Sequence, residues 1–392
     1  MQKIFLTLLI VIFSPLHLFA VNIIRGPYVE NVLQDRAVIR FRLDKATVAW
    51  LGYGAAPVCD RFLTVSRSES EEHQFILYGL LPDTTHCYQV FLPIDETTAV
   101  YKAAEHQFIT LRGQNKPYCR FIAFGDSGSG SDAQYELAGL IEKKEADFVL
   151  HTGDVIESGL DSDADEQYFI PYKNMLVKMP FYIALGNHDY GKDYKSPNAI
   201  KFLRENFGNY HNMPITGKTP HYYYFDCGNA RFIALDNNSF YKNMRTPSLI
   251  KNSSQYKWLN WILSRTRQMW KIVFFHIPMY SSGYHGSNIV LRETLEPLFS
   301  KYGVDVVFQG HDHNYERTKL LKDGKISETD GTIYITLGGG GRPLYFKRTE
   351  NDWTEKFEAV YHFGYVEIND TKFSMTVYGI DGSVLDQFEI KK

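Results

Sequence analysis

The chain has 392 residues, of which 44% are hydrophobic and 22% charged, which is the balance of a globular protein long enough for two domains and a large core. Its formal net charge of −3 at pH 7 excludes the basic surface that follows a nucleic-acid backbone, so no nucleic-acid partner is expected. An aromatic content of 15% favours strand-rich structure.

The first twenty residues have the layout of a secretory signal peptide. Lys3 precedes an apolar run over residues 4–13, and Ala20 supplies the small residue expected before cleavage. The run is short for a membrane span, and no later stretch is long and apolar enough to replace it. The sequence therefore predicts a signal peptide over residues 1–20, a secreted or periplasmic protein and no transmembrane segment after its removal; an uncleaved anchor is the alternative.

Residues 21–112 contain short strand-like runs, such as RAVIRFRL and HQFILYGL, that turn residues interrupt. Because no helical period is sustained, this part is predicted to form an antiparallel β-sandwich. The polar stretch RGQNK, residues 112–116, is the candidate linker. Cys59 and Cys87 both fall in this part and form a candidate disulfide in an oxidising compartment, whereas the alternative is that all the cysteines are buried thiols.

After Pro117 the pattern changes to apolar runs that alternate with helical segments. The runs include RFIAFG, DFVLHTG, FYIALG, RFIALD, KIVFFH, VDVVFQG and TIYITLGGGG. The helical segments are SDAQYELAGLIEKKEA, QYKWLNWILSRTRQM and LRETLEPLFSKYG. Continuous apolar strands between amphipathic helices indicate a sheet that is covered on its faces, an α/β architecture.

Five of these apolar runs end in residues of metal-ligating type. They are Asp126, Asp154, Asn187 with His188, His276, and His311 with His313. Strand ends that share one rim of a sheet would bring these side chains together, and clustered carboxylates require cations among them. Oxygen and imidazole ligands without sulfur suit Fe, Zn or Mn. The set is too large for one tetrahedral zinc but suffices for two metal ions that share a bridge, a centre suited to hydrolysing phosphoesters.

These strand ends also form an ordered series of motifs. The series is D-x-G from Asp126, G-D at Asp154, G-N-H-D over residues 186–189, V-x-x-H ending at His276 and G-H-x-H ending at His313. It resembles the calcineurin-like metallophosphoesterases, and among them the purple acid phosphatases. RGPYV and GLLPDTTHCYQV resemble that family's fibronectin type III-like N-terminal domain, so the resemblance covers nearly the whole chain.

The resemblance implies an N-terminal antiparallel β-sandwich over residues 21–112. An α/β metallophosphoesterase domain, with two packed mixed sheets flanked by helices, would follow over residues 117–392. It implies a first metal ion held by Asp126, Asp154 and His313. A second would be held by Asn187, His276 and His311, with Asp154 bridging both.

The resemblance also implies that a metal-bound hydroxide attacks phosphorus. His188 and His285 would then stabilise the phosphoryl oxygens or protonate the leaving group. The alternative for His285 is a solvated loop histidine. Asp189 and Asp312 are candidates for orienting imidazoles from behind. The GGGGR segment, residues 338–342, is interpreted as a tight passage from strand to loop.

One position departs from the family pattern. Purple acid phosphatases carry a tyrosine three residues after the bridging aspartate, and its phenolate binds ferric iron and gives the colour. Here that position is Glu157. A carboxylate can ligate a metal or accept a hydrogen bond near it, but it gives no phenolate charge-transfer band. The resemblance therefore predicts two divalent or trivalent ions of unspecified identity in a centre that is not purple.

The leading hypothesis is a secreted dinuclear-metal enzyme that hydrolyses phosphate monoesters, with a small phosphorylated molecule as substrate. A phosphodiesterase or nucleotidase with the same ligands is the first alternative. A non-catalytic binding protein is the second, although it would have no physical need for six convergent metal ligands. The sequence does not decide the oligomeric state.

Overall fold

The computed structural model describes residues 21–58, 62–93, 100–191, 221–242 and 244–392. The predicted signal peptide and Cys59 lie outside these ranges. Within them, no helix combines the length and the apolar character needed to cross a membrane.

Seven strands in the first part form two antiparallel sheets. They are β1 (Ile23–Glu30), β2 (Arg36–Thr47), β3 (Trp50–Ala55), β4 (Phe62–Val65), β5 (Ser70–Tyr78), β6 (Thr85–Pro93) and β7 (Val100–Ile109). One sheet has the order β1-β2-β5 and the other β4-β3-β6-β7. Ile39 and Phe75 of the first sheet share a buried core with Leu51 and Val90 of the second. The predicted antiparallel β-sandwich is confirmed.

The cysteines fall into two groups. Cys87 is buried in β6 and is disulfide-bonded, so the alternative in which every cysteine is a free thiol is wrong for this residue. Cys119 and Cys227, in the second part of the chain, are free and buried.

The second part contains fifteen described strands. They are β8 (Tyr118–Phe124), β9 (Phe148–His151), β10 (Phe181–Ile183), β11 (Tyr223–Cys227), β12 (Ala230–Ala234), β13 (Trp270–Phe274), β14 (Val306–Gln309), β15 (Tyr315–Thr318), β16 (Leu321–Lys322), β17 (Lys325–Ile326), β18 (Ile333–Leu337), β19 (Thr354–Glu358), β20 (His362–Asn369), β21 (Lys372–Gly379) and β22 (Val384–Lys391). The described α-helices are α1 (Asp132–Ile141), α2 (Asp161–Ala164), α3 (Lys173–Leu176), α4 (Ser254–Arg265) and α5 (Ile289–Tyr302). A π-helix (Asp165–Phe169) follows α2, and a 3₁₀ turn (Asn238–Phe240) precedes α4.

Two mixed sheets pack face to face in this part. The six-stranded sheet has the order β10-β9-β8-β20-β21-β22, and the seven-stranded sheet has the order β11-β12-β13-β14-β18-β15-β19. Parallel pairing runs through β10, β9 and β8 in one sheet and through β12, β13, β14 and β18 in the other. The ring of Phe121 meets the rings of Phe232 and Phe308 edge to face across the interface, with centroids 5.1 and 5.9 Å apart. The predicted fold class is confirmed.

The alternation of side chains along β12 shows why the seven-stranded sheet is covered on both faces. Phe232 lies in the core between the two sheets, whereas its neighbour Ile233 packs with Leu259 of α4 and Leu295 of α5. Successive residues of a strand point to opposite faces, so a run such as RFIALD must be apolar throughout to bury both. The three longer helices correspond to the segments predicted to be helical, with α4 starting one residue and α5 two residues before them.

One buried and one half-buried arginine of the sandwich hold the segment that follows Asp154. Arg25, 4% exposed, donates from Nη1 to Asp161 at 2.8 Å and from Nε to Asp165 at 2.7 Å. Arg42 donates to the same Asp161 at 2.7 Å. Bidentate guanidinium–carboxylate contacts are directional, so the sandwich fixes the start of α2, a few residues beyond Glu157.

Candidate metal centre

The ends of five parallel strands bring the predicted ligands together. Asp126 follows β8, Asp154 follows β9, Asn187 follows β10, His276 follows β13, and His311 and His313 follow β14. The two halves of the set are joined directly, because the backbone N–H of His311 donates to Asp126 Oδ2 at 2.9 Å. The expectation that strand ends share one rim therefore holds across both sheets.

Three of these residues adopt left-handed backbone conformations. The φ angles are 56° at Asp126, 57° at Asp154 and 69° at His311. Such conformations cost an L-residue about 1–3 kcal/mol each and concentrate at functional sites. The backbone at residue 310 also lies close to Asp126. A Cβ on Gly310 would lie 2.6 Å from Asp126 Oδ2, which explains the glycine before His311.

His276 lies at the centre of one half of the set. Its Nδ1 is 3.0 Å from the carbonyl oxygen of Thr152, which assigns the proton to Nδ1 and leaves a lone pair on Nε2. That Nε2 is 3.1 Å from Asn187 Oδ1, 3.2 Å from His311 Nδ1 and 3.4 Å from Asp154 Oδ2. His276 Nε2, Asn187 Oδ1 and Asp154 Oδ2 are acceptors that face one another in a buried space and require a cation or added protons between them, whereas the role of His311 Nδ1 depends on its tautomer.

The other half of the set contains Asp126 and His313. His313 Nδ1 lies 2.7 Å from the carbonyl oxygen of Pro343, so Nε2 is again the free atom, and it lies 3.6 Å from Asp126 Oδ1. His276 Nε2, 3.9 Å from the same Asp126 oxygen, connects this half with the first. The donor atoms therefore form one continuous group.

The pKa values show how the protein alone balances this charge. Burial raises the pKa of Asp126 to about 8, with a further contribution from Asp154. Burial opposes protonation of His276, but Asp154 and Asp126 outweigh it and raise its pKa to about 9. Burial also opposes ionisation of Asp154, yet the positive charges of His276 and Arg342 lower its pKa well below the ordinary value. Protons on Asp126 and His276 thus compensate the negative charge that bound metal cations would otherwise compensate. The donor set therefore fits a metal centre.

The two histidines predicted to face substrate border this group. The backbone N–H of His188 donates to Asp154 Oδ1 at 2.8 Å, and its ring Nε2 is 4.0 Å from Asp154 Oδ2. The ring of His285 stacks on that of His311 with centroids 4.0 Å apart. Both are partly open to solvent, unlike the buried side chains behind them.

Asp189 and Asp312, the candidates for orienting imidazoles, act on the backbone of the site loops in the hydrogen bonds that the structure describes, so the orienting role stays a prediction. Asp189 accepts backbone N–H groups of Asp154, at 3.0 Å, and Val155, at 2.9 Å. Asp312 accepts the backbone N–H of His285 at 2.8 Å. Short loops at strand ends leave backbone donors unpaired, and these two buried carboxylates satisfy them.

The sequence interpretation missed Arg342. The GGGGR segment was expected to be only a tight passage, but Arg342 is buried, and its Nη1 lies 2.8 Å from Glu157 Oε2 and 4.0 Å from Asp154 Oδ2. Glu157 also contacts His188, with Oε1 at 3.3 Å from Nδ1. The sequence offered one signal, a lone arginine directly after a glycine run at the end of a core strand.

Comparisons with known proteins bear on the family and the fold. The family model for calcineurin-like phosphoesterase matches residues 119–315. Purple acid phosphatase 18 of Arabidopsis thaliana is 26% identical over 349 residues, which cover 84% of this chain and 74% of that protein. Probable inactive purple acid phosphatase 1 of the same plant is 26% identical over 373 residues, 82% of this chain and 57% of its own. Purple acid phosphatase PPD1 from yellow lupin (Lupinus luteus) seeds superimposes with a TM-score of 0.76 at 19% identity, over 93% of this chain and 74% of that one.

Proposed function

The chain belongs to the calcineurin-like phosphoesterase family, and from this membership we propose that it is an exported dinuclear-metal phosphatase that hydrolyses small phosphate monoesters. The observation that carries the proposal is the buried group of acceptor atoms around His276 Nε2, within 3.1–3.4 Å of Asn187, His311 and Asp154. Two bound metal ions would supply Lewis-acid polarisation of the phosphoryl oxygens and a water of lowered pKa. The relatives named as purple acid phosphatases support the choice of reaction.

The ligands divide into two sets in this proposal. Asp126, Asp154 and His313 would hold one ion, Asn187, His276 and His311 would hold the other, and both sets would share Asp154. Support comes from His276 Nε2, which lies between the sets, 3.4 Å from Asp154 and 3.9 Å from Asp126. The metal identities are left as Fe, Zn or Mn, because oxygen and imidazole donors suit all three.

His188 and His285 are the proposed catalytic residues. They border the ligand group on its open side, where a phosphoryl group would bind, and imidazole can donate a hydrogen bond to a phosphoryl oxygen or a proton to a leaving alcohol. His188 is held by the 2.8 Å contact from its backbone N–H to Asp154, and His285 by Asp312. Rigid loops of this kind keep the imidazoles in place as the substrate arrives.

The domain division and location belong to the same proposal. Residues 21–112 form the fibronectin type III-like domain and residues 117–392 the catalytic domain, with a signal peptide over residues 1–20 directing export. Arg25 of the sandwich donates hydrogen bonds to Asp161 and Asp165, which lie close to the site in sequence. These contacts are consistent with a structural role for the sandwich in this proposal.

The test measures metal and activity together. Elemental analysis of purified protein is expected to give two transition-metal ions per chain, and chelation is expected to abolish phosphatase activity that added metal restores. A visible spectrum of the active protein is expected to lack a tyrosinate band. Full activity in metal-free protein, or no bound transition metal under any loading condition, contradicts the proposal; the second result favours a binding protein.

A monoester and a diester that release the same leaving group distinguish the two activities. Rates on 4-nitrophenyl phosphate and methyl 4-nitrophenyl phosphate compare the two classes without changing the departing phenol. The proposal expects a higher kcat/KM on the monoester. A higher value on the diester would make the protein a phosphodiesterase with the same metal ligands.

A further inference from the structure

Glu157 stands on a backbone segment that the protein holds firmly. The segment begins at Asp154, whose N–H is bound by Asp189, and the N–H of Glu157 itself donates to Gln167 Oε1 at 2.7 Å. The carboxylate at its end is 46% exposed and therefore reaches toward the open side of the site. Its backbone is therefore held in place even though its side chain is partly exposed to solvent.

One carboxylate oxygen of Glu157 holds Arg342. The Oε2–Nη1 distance is 2.8 Å, and Nη2 of the same guanidinium donates to the carbonyl oxygen of Ile156 at 3.2 Å. The side chain of Arg342 is 6% exposed, and its backbone N–H donates to the carbonyl oxygen of Asp126 at 3.1 Å. A buried guanidinium requires carboxylate partners, and Glu157, at 2.8 Å, is much closer to Arg342 Nη1 than Asp154 is, at 4.0 Å.

The other carboxylate oxygen of Glu157 faces His188. His188 Nδ1 is 3.3 Å from Oε1 and 3.0 Å from the backbone carbonyl oxygen of Glu157. Two acceptors at Nδ1 favour the tautomer with the proton on that nitrogen. Nε2, 4.0 Å from Asp154 Oδ2, is then the atom that faces the metal centre.

These contacts occupy both oxygens of Glu157. The proposed ligands Asp126, Asp154, His276, His311 and His313 are joined to one another by contacts of 3.2–3.9 Å between their ligand atoms, whereas the described contacts of the Glu157 oxygens go to His188 and Arg342. A metal ligand would direct an oxygen into that group, whereas Glu157 directs its oxygens to an imidazole and a guanidinium. The tyrosine of related enzymes is thus replaced by a paired acid and base, and the pair adds no net charge to the centre.

We propose that Glu157 is a positioning residue and not a metal ligand. Its carboxylate, together with the backbone carbonyl oxygen of the same residue, fixes His188 with Nε2 toward the substrate side, and it anchors Arg342 as a permanent cation behind the carboxylate of Asp154. Only the kinetic consequence rests on the proposed phosphatase activity.

The test separates metal binding from catalysis with Glu157→Gln. This variant keeps the size of the side chain but loses its charge, so the metal content is expected to stay at two ions per chain. kcat is expected to fall about 10- to 100-fold with little change in KM, the usual effect of removing a partner of a site residue. Arg342→Lys is expected to retain more activity than Arg342→Met, because it keeps the positive charge. Glu358→Gln is the matched control, since Glu358 is 38% exposed and forms a 2.8 Å ion pair with Lys356.

A second measurement does not depend on activity. Long-range hydrogen–nitrogen NMR spectra of the imidazoles, with His188→Asn for assignment, are expected to show His188 with its proton on Nδ1 in the wild-type protein. Glu157→Ala removes one of the two acceptors at Nδ1 and leaves the backbone carbonyl oxygen, so the fraction of His188 with its proton on Nδ1 is expected to fall without being abolished. Loss of one metal ion in Glu157→Gln, or an unchanged kcat together with an unchanged tautomer, overturns the proposal. If the wild-type protein hydrolyses no phosphate ester, the proposed function fails while the metal and NMR results still decide the role of Glu157.

Discussion

Among the residues that the structure describes, two buried clusters in the second part of the chain contain residues of metal-ligating type whose ligand atoms lie within 4.8 Å of one another. One is Asp154, His276 and His311 at the strand ends; the other is Cys119, Asp147 and Cys227 at the opposite ends of β8 and β11. Both clusters are buried and consist of residue types that ligate metals. Their other contacts distinguish them: in the cysteine cluster, called the closed cluster below, the carboxylate already has cationic and N–H partners, whereas in the strand-end cluster, called the open cluster, it does not have them all.

In the cysteine cluster the carboxylate is already neutralised. Asp147 Oδ2 accepts from Arg112 Nη1 at 2.5 Å and from the backbone N–H of Arg120 at 2.7 Å. Burial raises the pKa of Cys119 well above its ordinary value, so this thiol stays protonated. In the strand-end cluster, by contrast, acceptors face acceptors. Convergence of ligand types therefore marks a metal site only where their charge is left uncompensated.

The largest expected effect comes from breaking the open cluster at Asp154. Asp154→Asn is expected to lose bound metal and to lower kcat/KM by about 1,000-fold or more, since it removes the charge that both metal sets share. Elemental analysis and phosphatase kinetics measure the two losses. Asp323→Asn is the control, because Asp323 is exposed and also has a left-handed φ, of 48°. Normal metal content in Asp154→Asn would contradict the assignment.

Breaking the closed cluster should change stability and leave metal binding intact. Asp147→Ala leaves the partly buried Arg112 without its closest carboxylate, so the free energy of unfolding is expected to fall by about 3 kcal/mol. Metal content per folded chain is expected to remain that of the wild-type protein. Urea unfolding and elemental analysis test both statements, with Glu145→Ala, an exposed acid paired with Arg120, as the control. Loss of metal in Asp147→Ala would show that this cluster is the site.

Glu30 and Arg40 form a third buried charged group, in the sandwich, and the effect of its charge on stability can be tested through pH. Burial raises the pKa of Glu30 to about 7, although Arg40, 3.1 Å away, opposes the shift. The folded protein then binds a proton more tightly than the unfolded chain, so this contribution to stability is complete below about pH 4.5 and is lost as the pH rises through 7. The amplitude is about 3 kcal/mol at most.

The measurement is the free energy of unfolding of Glu30→Gln against that of the wild-type protein across this pH range. The variant is expected to lack the decline between pH 4.5 and 7 that Glu30 contributes. Glu328→Gln, an exposed acid, should keep the wild-type slope. Parallel curves for Glu30→Gln and wild type would mean that Glu30 is ionised throughout.

The sequence predicted which residues meet in the open cluster because the ends of apolar strands can be recognised in it. Apolar runs that stop at Gly-Asp or Gly-His place ligands on one rim, and this holds for Asp126, Asp154 and His311. The runs do not show what supports that rim. Arg342 is far from Glu157 in sequence, and the partners of Asp189 and Asp312 are backbone N–H groups, which every residue except proline carries. Side-chain pairing between distant loops depends on tertiary packing, so the hydrophobic periodicity of the local sequence does not predict it.

The smallest effect is expected from that supporting layer. Asp189 accepts the N–H groups of Asp154, Val155 and Gly186, at 3.0, 2.9 and 2.8 Å, with two carboxylate oxygens. Asp189→Asn keeps the shape but turns one acceptor into a donor that faces backbone N–H groups, so the loop carrying Asp154 should shift. Metal affinity is expected to weaken about 10- to 100-fold, measured by competition with a chelator of known affinity. Because Asp154 is still present, saturating metal should restore most of kcat, whereas Asp154→Asn should not recover. Failure of saturating metal to restore Asp189→Asn would mean that Asp189 acts in the reaction itself and not through the loop.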